Sequence, residues 1–107
     1  MFINEVAKLC GLTKKAVEYY TEQGLVTPHV LENRYRDFSN QDIEILKKIA
    51  LYRRLELSIF EIKSILARPD ELKSILYKRT LELEKEKVKQ DILQRLCSGE
   101  SLENLEQ

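Results

Sequence analysis

The chain has 107 residues, of which 43% are hydrophobic and 34% charged, and its formal net charge is zero. This length allows one small domain, or a small domain with an appendage. No run of about 18 apolar residues exists and no signal peptide is visible, so we predict a cytoplasmic protein without a membrane span. Residues 1–54 hold nine Lys/Arg and seven Asp/Glu, and residues 55–107 hold nine and eleven. The zero net charge argues weakly against a nucleic-acid binder, and the sign of this small asymmetry points towards a nucleic-acid contact in the first half without deciding it.

The first predicted helix is short. Asn4 is its predicted cap, with Ile3 as the apolar residue before the cap. Gly11 ends the helix within two turns, and Leu12 fills the turn that follows. The predicted buried side recurs at helical spacing and consists of Val6, Ala7 and Cys10.

The second predicted helix has one apolar face and one mixed polar face. Thr13 is its predicted cap, and Gly24 follows its end, where a left-handed backbone costs Gly little. The apolar face carries Ala16, Val17 and Tyr20. The polar face carries Lys14, Lys15, Glu18, Tyr19 and Glu22. Such a helix after a short helix and a tight turn is typical of a helix-turn-helix DNA reader, with an ordinary surface helix as the alternative.

A two-stranded hairpin is predicted next. Val26 and residues 35–38 form its strands, joined by a loop that holds Pro28 and Asn33. A hairpin of two strands is marginal alone but becomes a wing when it folds against a helix-turn-helix. It would carry interleaved cations and an aromatic, which suit contact with phosphates and sugars: Arg34, Tyr35 and Arg36. A solvated hairpin with incidental cations is the alternative.

Two further helices begin with capping-box signals, Ser39 with Asp42 and Ser58 with Glu61. Pro69 ends the second of them, because proline cannot continue a helix interior. The predicted buried residues of the pair are Ile43, Leu46, Ile49, Ala50, Leu55, Ile62, Ile65 and Leu66.

Residues 71–96 contain neither Gly nor Pro and predict one helix about 39 Å long. Its main apolar stripe is Tyr77, Leu81, Val88, Ile92 and Leu96, and a second stripe is Leu72, Leu76 and Leu83. An amphipathic helix of this length buries its stripe against another chain, as in a coiled coil, so we predict a homodimer. A helix folded back onto its own domain is the alternative. The polar residues 98–107 are predicted to fray.

Five features in this order resemble the MerR family of bacterial transcription regulators. Four are the segments I-N-E-V-A-K-L-C-G-L-T, V-E-Y-Y-T-E-Q-G-L-V-T-P, E-N-R-Y-R-D-F-S and L-S-I-F-E-I-K-S-I-L, and the fifth is the long helix. The resemblance covers residues 2–67 by motif and 71–96 by architecture. It implies a mainly α fold: a winged helix-turn-helix DNA-binding domain over residues 1–69, an antiparallel coiled-coil dimerisation helix over 70–97, and a polar tail over 98–107.

The resemblance also implies a function. A family member is a regulator rather than an enzyme; it binds double-stranded promoter DNA as a homodimer and distorts it, which acts indirectly on RNA polymerase. The expected DNA-binding residues are Thr13, Lys14, Lys15, Glu18, Tyr19, Arg34, Tyr35 and Arg36, of which Tyr35 and Arg36 match the family's wing pair on backbone phosphates. The expected dimerisation residues are Leu72, Leu76, Tyr77, Leu81, Val88, Ile92 and Leu96. No cofactor or metal is expected.

Three positions depart from the family pattern. Glu18 stands where the family usually has an Arg, Thr21 stands where it has an acid, and Arg34 replaces a wing Gly. A carboxylate on the DNA-facing side repels phosphate unless Lys14 or Lys15 neutralises it or it accepts from a cytosine amine. The alternative function is therefore a protein-interaction module with weakened DNA binding.

Other reactive side chains lack partners at functional spacing. Cys10 is expected to be a small buried hydrophobe, and His29 a solvent-exposed imidazole in the wing loop. Cys97 closes the long helix; one Cys is a poor metal site, and a thiol-responsive pair across a dimer is the alternative. The resemblance leaves open whether an effector domain follows Gln107.

Overall fold

The structure, a computed structural model, describes residues 1–105. Within them lie the helices α1 (Ile3–Cys10), α2 (Lys14–Glu22), α3 (Asn40–Arg54), α4 (Ile59–Ala67), α5 (Leu72–Cys97) and α6 (Leu102–Leu105), and the antiparallel strands β1 (His29–Val30) and β2 (Arg36–Asp37). The chain divides into two compact units, Met1–Pro69 and a second that begins at Asp70. The predicted mainly α fold with a two-stranded wing and a long helix is confirmed.

The turn between α1 and α2 has the predicted chemistry. Gly11 is left-handed, with φ 67°, and the N–H of Leu12 donates to the Ala7 carbonyl at 2.9 Å. Thr13 caps α2 by accepting a hydrogen bond from the Ala16 N–H on its Oγ1 at 3.0 Å. The predicted cap at Asn4 is wrong. Helix α1 already begins at Ile3, because the backbone of Met1 is held against the wing, where it accepts from the Phe38 N–H at 2.8 Å.

The wing is shorter than predicted and lies further along the chain. Its pairs are His29 with Asp37 and Val30 with Arg36. The predicted strand at Val26 is wrong, because β1 begins only at His29; Val26 precedes it, and its side chain is buried in the core of the first unit. Pro28 therefore precedes β1, and His29, exposed as predicted, lies in β1 rather than in the loop.

Helices α3 and α4 begin with the predicted capping boxes. The Ser39 hydroxyl accepts from the Asp42 N–H at 3.1 Å, and the Asp42 carboxylate accepts from the Ser39 N–H at 2.9 Å. Ser58 and Glu61 repeat both bonds at 3.0 Å. Each box satisfies two N–H groups that have no partner inside the helix.

The structure confirms most of the predicted buried residues of α3 and α4 and corrects others. Ile43, Leu46, Ile49, Ile62 and Ile65 are buried as predicted, whereas Ala50 and Leu66 are only half-buried.

Leu55 was predicted to be buried but is 39% exposed, and Tyr52 and Leu57 are buried instead. The helix stops at Arg54, and Glu56 adopts a left-handed φ of 62°. The Leu57 N–H then donates to the Tyr52 carbonyl at 3.1 Å, closing a Schellman turn that directs the chain inward at Leu57.

The second unit is dominated by α5, whose 26 residues include no buried one. The prediction of a fully frayed tail is wrong over Leu102–Leu105, which form the single turn α6. Before that turn, Arg95 donates two hydrogen bonds of 2.6 Å to the Glu100 carboxylate, which lowers the pKa of Glu100. The part of the tail prediction that concerns residues 106–107 lies outside the described residues. None of the described helices is both long and apolar enough to cross a bilayer.

Candidate nucleic-acid interface

The buried side chains on the inner face of α2 determine which of its side chains are exposed on the outer face. Val17 is completely buried and Tyr20 nearly so, which fixes the rotation of the helix about its axis. The side chains on the opposite face are consequently exposed, as predicted: Lys14, Lys15, Glu18, Tyr19 and Glu22. Together with Thr13 at the cap, they form a surface of two cations, two carboxylates and an aromatic ring.

Tyr19 is supported by the core although it is exposed. Its ring stands edge-to-face on Tyr20, with ring centroids 5.8 Å apart, an arrangement favoured by the charge distribution of aromatic rings. Thr21 donates its hydroxyl hydrogen to the Val17 carbonyl at 2.8 Å. The residue that replaces the family's acid is therefore satisfied by the helix backbone.

The wing turn holds an arginine in a conformation that suits glycine. Residues 32–34 form a three-residue loop closed by hydrogen bonds from the Leu31 N–H to the Tyr35 carbonyl at 2.8 Å and from the Arg34 N–H to the Leu31 carbonyl at 2.9 Å. Arg34 is left-handed, with φ 69°, at the loop position that Gly usually fills in such hairpins. A non-glycine residue there costs about 1 kcal/mol or more.

Tyr35 is 63% exposed, and its ring edge packs on Phe2 with centroids 6.1 Å apart. Its N–H donates to the Asn33 side chain at 3.1 Å. Asp37, the acid of strand β2, is ion-paired with the amino group of Met1. Tyr35 and Asp37 thus both contact the first two residues of the chain.

One concave surface joins α2 to the wing. The structure brings together four of the predicted site residues there, Glu18, Arg34, Tyr35 and Arg36. The other four, Thr13, Lys14, Lys15 and Tyr19, do not line the concavity. Sequence reasoning missed four residues of its wall: Phe2, Ile3, Asn4 and Phe38. An apolar Phe2 ahead of a helix was the only available signal, and it gave no hint of the tertiary contact with Tyr35.

The charges of this region are largely uncompensated. Over residues 1–105, no carboxylate forms an ion pair with Lys14, Lys15, Arg34 or Arg36, and no cation forms one with Glu18. Four cations and the carboxylates of Glu18, Glu22 and Glu32 therefore lie on α2 and the wing without an ion-pair partner among the described residues. Uncompensated cations with exposed tyrosines are suited to a phosphate backbone.

The two cysteines differ in surroundings. Cys10 is half-buried, with its Sγ 3.9 Å from the Ile43 carbonyl, and burial raises the pKa of its thiol. Cys97 is exposed on α5. In the part of the chain that the structure describes, no three His, Cys, Asp or Glu side chains are grouped so that they could hold a metal ion.

Comparisons with known proteins agree with this geometry. Residues 1–68 match the family described as MerR HTH family regulatory protein. The chain is 35% identical to the HTH-type transcriptional regulator CueR of Escherichia coli over 86 residues, which make up 77% of this chain and 64% of CueR.

Two solved structures have the same fold. The N-terminus of MtaN, the Bacillus subtilis multidrug transporter activator, is similar with a TM-score of 0.80 and 24% identity, over 92% of this chain and 94% of that one. HiNmlR, a MerR family regulator lacking the sensor domain and solved bound to promoter DNA, is similar with a TM-score of 0.62 and 17% identity, over 92% and 78% of the two chains. At these identities the likeness establishes the fold alone.

The fold and the matches define a helix-turn-helix transcription regulator. The chain belongs to the MerR family. The predicted family, and the prediction of a regulator rather than an enzyme, are thereby confirmed. The chain spans less than two thirds of the length of the curated relatives that it matches.

Proposed function

We propose that this chain binds double-stranded promoter DNA as a homodimer, with α2 in the major groove and the wing on the adjacent phosphate backbone. The observation that carries the proposal is a set of four cations, Lys14 and Lys15 on α2 and Arg34 and Arg36 in the wing, that lack an ion-pair partner within the described residues. Glu18 of α2 and the two wing arginines also line one concave surface. The first residues of a recognition helix reach base edges, while cations beside it bind phosphates. HiNmlR, a structural relative, was solved on promoter DNA.

We assign the contact with the second copy of the chain to α5. This helix exposes apolar side chains along most of its length, including Tyr77, Leu81, Val88, Ile92 and Leu96. Isolated helices are marginal in water, and most helical stability comes from packing of an apolar face. An antiparallel pair of α5 helices would cover these side chains and would give the dimer two copies of α2, one for each half of an inverted repeat.

Distortion of the promoter is the proposed mode of action. Bending or untwisting a duplex costs energy that depends on its sequence, so a protein that stabilises the bent form reads sequence at positions it never touches. The bound regulator would then present promoter elements to RNA polymerase in a changed alignment. We expect the bend to be measurable by energy transfer between dyes at the ends of a promoter duplex, with wild-type chain added or omitted.

The salt dependence of binding tests the contact assignment. With a duplex from the promoter upstream of the chain's own gene, Lys15→Ala and Arg36→Ala should each reduce the slope of log affinity against log salt by about 1. Lys85→Ala, which removes an exposed cation from α5, is the matched control and should leave the slope unchanged. Unchanged slopes in both site variants would contradict the assignment. A wild-type chain that leaves the mobility of the duplex unaltered would favour the protein-interaction module instead.

A further inference from the structure

Among the residues that the structure describes, Glu18 is the only acidic side chain that lines the concavity between α2 and the wing. It is the fifth residue of α2, it is exposed, and it forms no ion pair with any described residue. Helix spacing puts Lys14 and Lys15 one turn before it, and Arg34 and Arg36 line the same concavity. These cations reduce the cost of keeping an anion beside DNA without neutralising it by a direct contact.

The major groove offers a carboxylate few favourable partners. Guanine presents two acceptors and thymine presents an acceptor and a methyl group, so both are unfavourable. Adenine presents an amine beside the N7 acceptor, which repels a second acceptor. Cytosine presents only its N4 amine, a donor with no neighbouring acceptor on the same edge. A groove-facing carboxylate therefore selects cytosine by both attraction and exclusion.

We propose that Glu18 is a specificity-determining residue that accepts a hydrogen bond from the N4 amine of one cytosine in each half-site. The proposal rests on the proposed function, because it requires α2 to lie in the major groove. It assigns a base preference to the side chain that replaces a cation of the family pattern. The wing cations Arg34 and Arg36 then supply the phosphate contacts that offset the lost positive charge on α2.

The test replaces the Glu18 carboxylate, which only accepts hydrogen bonds, with a glutamine amide of the same shape, which accepts on its oxygen and donates from its nitrogen. Wild-type chain, Glu18→Gln and Glu22→Gln are each used to select duplexes from a pool of double-stranded DNA with a randomised central segment. Glutamine can bond both N6 and N7 of adenine, so Glu18→Gln should prefer adenine where the wild type prefers cytosine. Glu22→Gln removes the same charge one turn further along the same exposed face and should retain the wild-type preference at every position.

The selected wild-type duplex then gives the magnitude. Replacement of the assigned cytosine pair should weaken wild-type binding about tenfold, and this penalty should disappear in Glu18→Gln. Circular dichroism of the variants should match the wild type, because position 18 is exposed.

The outcomes separate this inference from the function on which it rests. If Glu18→Gln binds all duplexes more tightly by the same factor and keeps every base preference of the wild type, Glu18 acts only through its charge and the inference is overturned while DNA binding stands. If the wild-type chain enriches no sequence from the pool, both proposals are overturned.

Discussion

The two units of this chain treat their apolar side chains in opposite ways. In Met1–Pro69, all four helices contribute buried side chains, and fourteen hydrophobic residues form one core. In α5, no residue is buried, and seven of its large hydrophobic side chains are exposed: Tyr77, Leu81, Leu83, Val88, Ile92, Leu93 and Leu96. The first unit buries its apolar side chains within one chain, whereas on our proposal the apolar side chains of the long helix are covered by a second copy.

This difference predicts that the two regions respond differently to concentration. A core closed within one chain is independent of how much protein is present, whereas a helix stabilised by association gains order as concentration rises. The two proposed roles, DNA binding by the first unit and dimerisation by α5, follow the same difference. A DNA-binding surface needs a rigid support, and a dimer contact needs an apolar stripe that is exposed in the single chain.

The largest effect is expected in the core of the first unit. Leu46→Ala removes a side chain with no exposed surface and should lower the free energy of unfolding by about 2–5 kcal/mol. Leu51→Ala, five residues along the same helix, truncates a leucine that is 53% exposed and should change it by about 0.5 kcal/mol or less. Urea titration followed by circular dichroism measures both. Equal losses would contradict the assignment of the core.

The next effect concerns α5. The pair Leu81→Ala and Ile92→Ala truncates two residues of the predicted stripe and should weaken dimerisation by about 2 kcal/mol or more, which is more than tenfold in the dissociation constant. Leu93→Ala truncates a neighbouring exposed leucine outside the stripe and should have a much smaller effect. Sedimentation equilibrium gives both constants, and a stronger effect of Leu93→Ala would move the dimer contact to another face of the helix.

The helix caps should contribute less to the unfolding free energy than the core does. Ser39→Ala removes the hydroxyl that accepts from the Asp42 N–H and should cost about 1 kcal/mol of unfolding free energy. Ser39→Asp keeps an acceptor at the cap and should restore most of that loss. Thermal unfolding of the three proteins compares them. A Ser39→Ala variant as stable as the wild type would show that the capping box contributes nothing to α3.

The smallest effect has opposite signs for stability and binding. Arg34→Gly relieves the left-handed φ of 69° and should raise the unfolding free energy by about 0.5 kcal/mol, after allowance for the greater freedom of glycine in the unfolded chain. It also removes a wing cation and should lower the salt slope of DNA binding by about 1. Arg34→Ala loses the cation but keeps the strained conformation, so it should lower the slope without the gain in stability. A gain in DNA affinity for Arg34→Gly would remove Arg34 from the interface.

Local signals in the sequence were sufficient for most helix starts. Thr13, Ser39 and Ser58 were predicted as caps and are caps, because a cap is decided by residues within one turn of it. The long helix was predicted as 71–96 and is Leu72–Cys97. Its composition allows no break, and no tertiary contact was needed to recognise it.

The errors lie where distant residues decide. Asn4 is a good cap by type, but the pairing of Met1 with Phe38 starts α1 before it. Val26 is of a residue type that favours strands, yet it lies outside the wing and its side chain is buried in the core. The exposure of Leu55 depends on a left-handed glutamate at position 56, which the sequence pattern does not indicate. Phe2 lines the concavity between Glu18 and the wing and packs on Tyr35, and the sequence pattern does not indicate this distant contact either.

The mass of the wild-type chain in solution tests the central claim most directly, namely that α5 requires a second copy while the first unit does not. Sedimentation equilibrium at micromolar concentration should give twice the mass of the chain, with a helical signal that falls as the protein is diluted towards the dissociation constant. A monomer at that concentration with undiminished helix content would contradict the account, because the apolar stripe of α5 would then be stable without a partner.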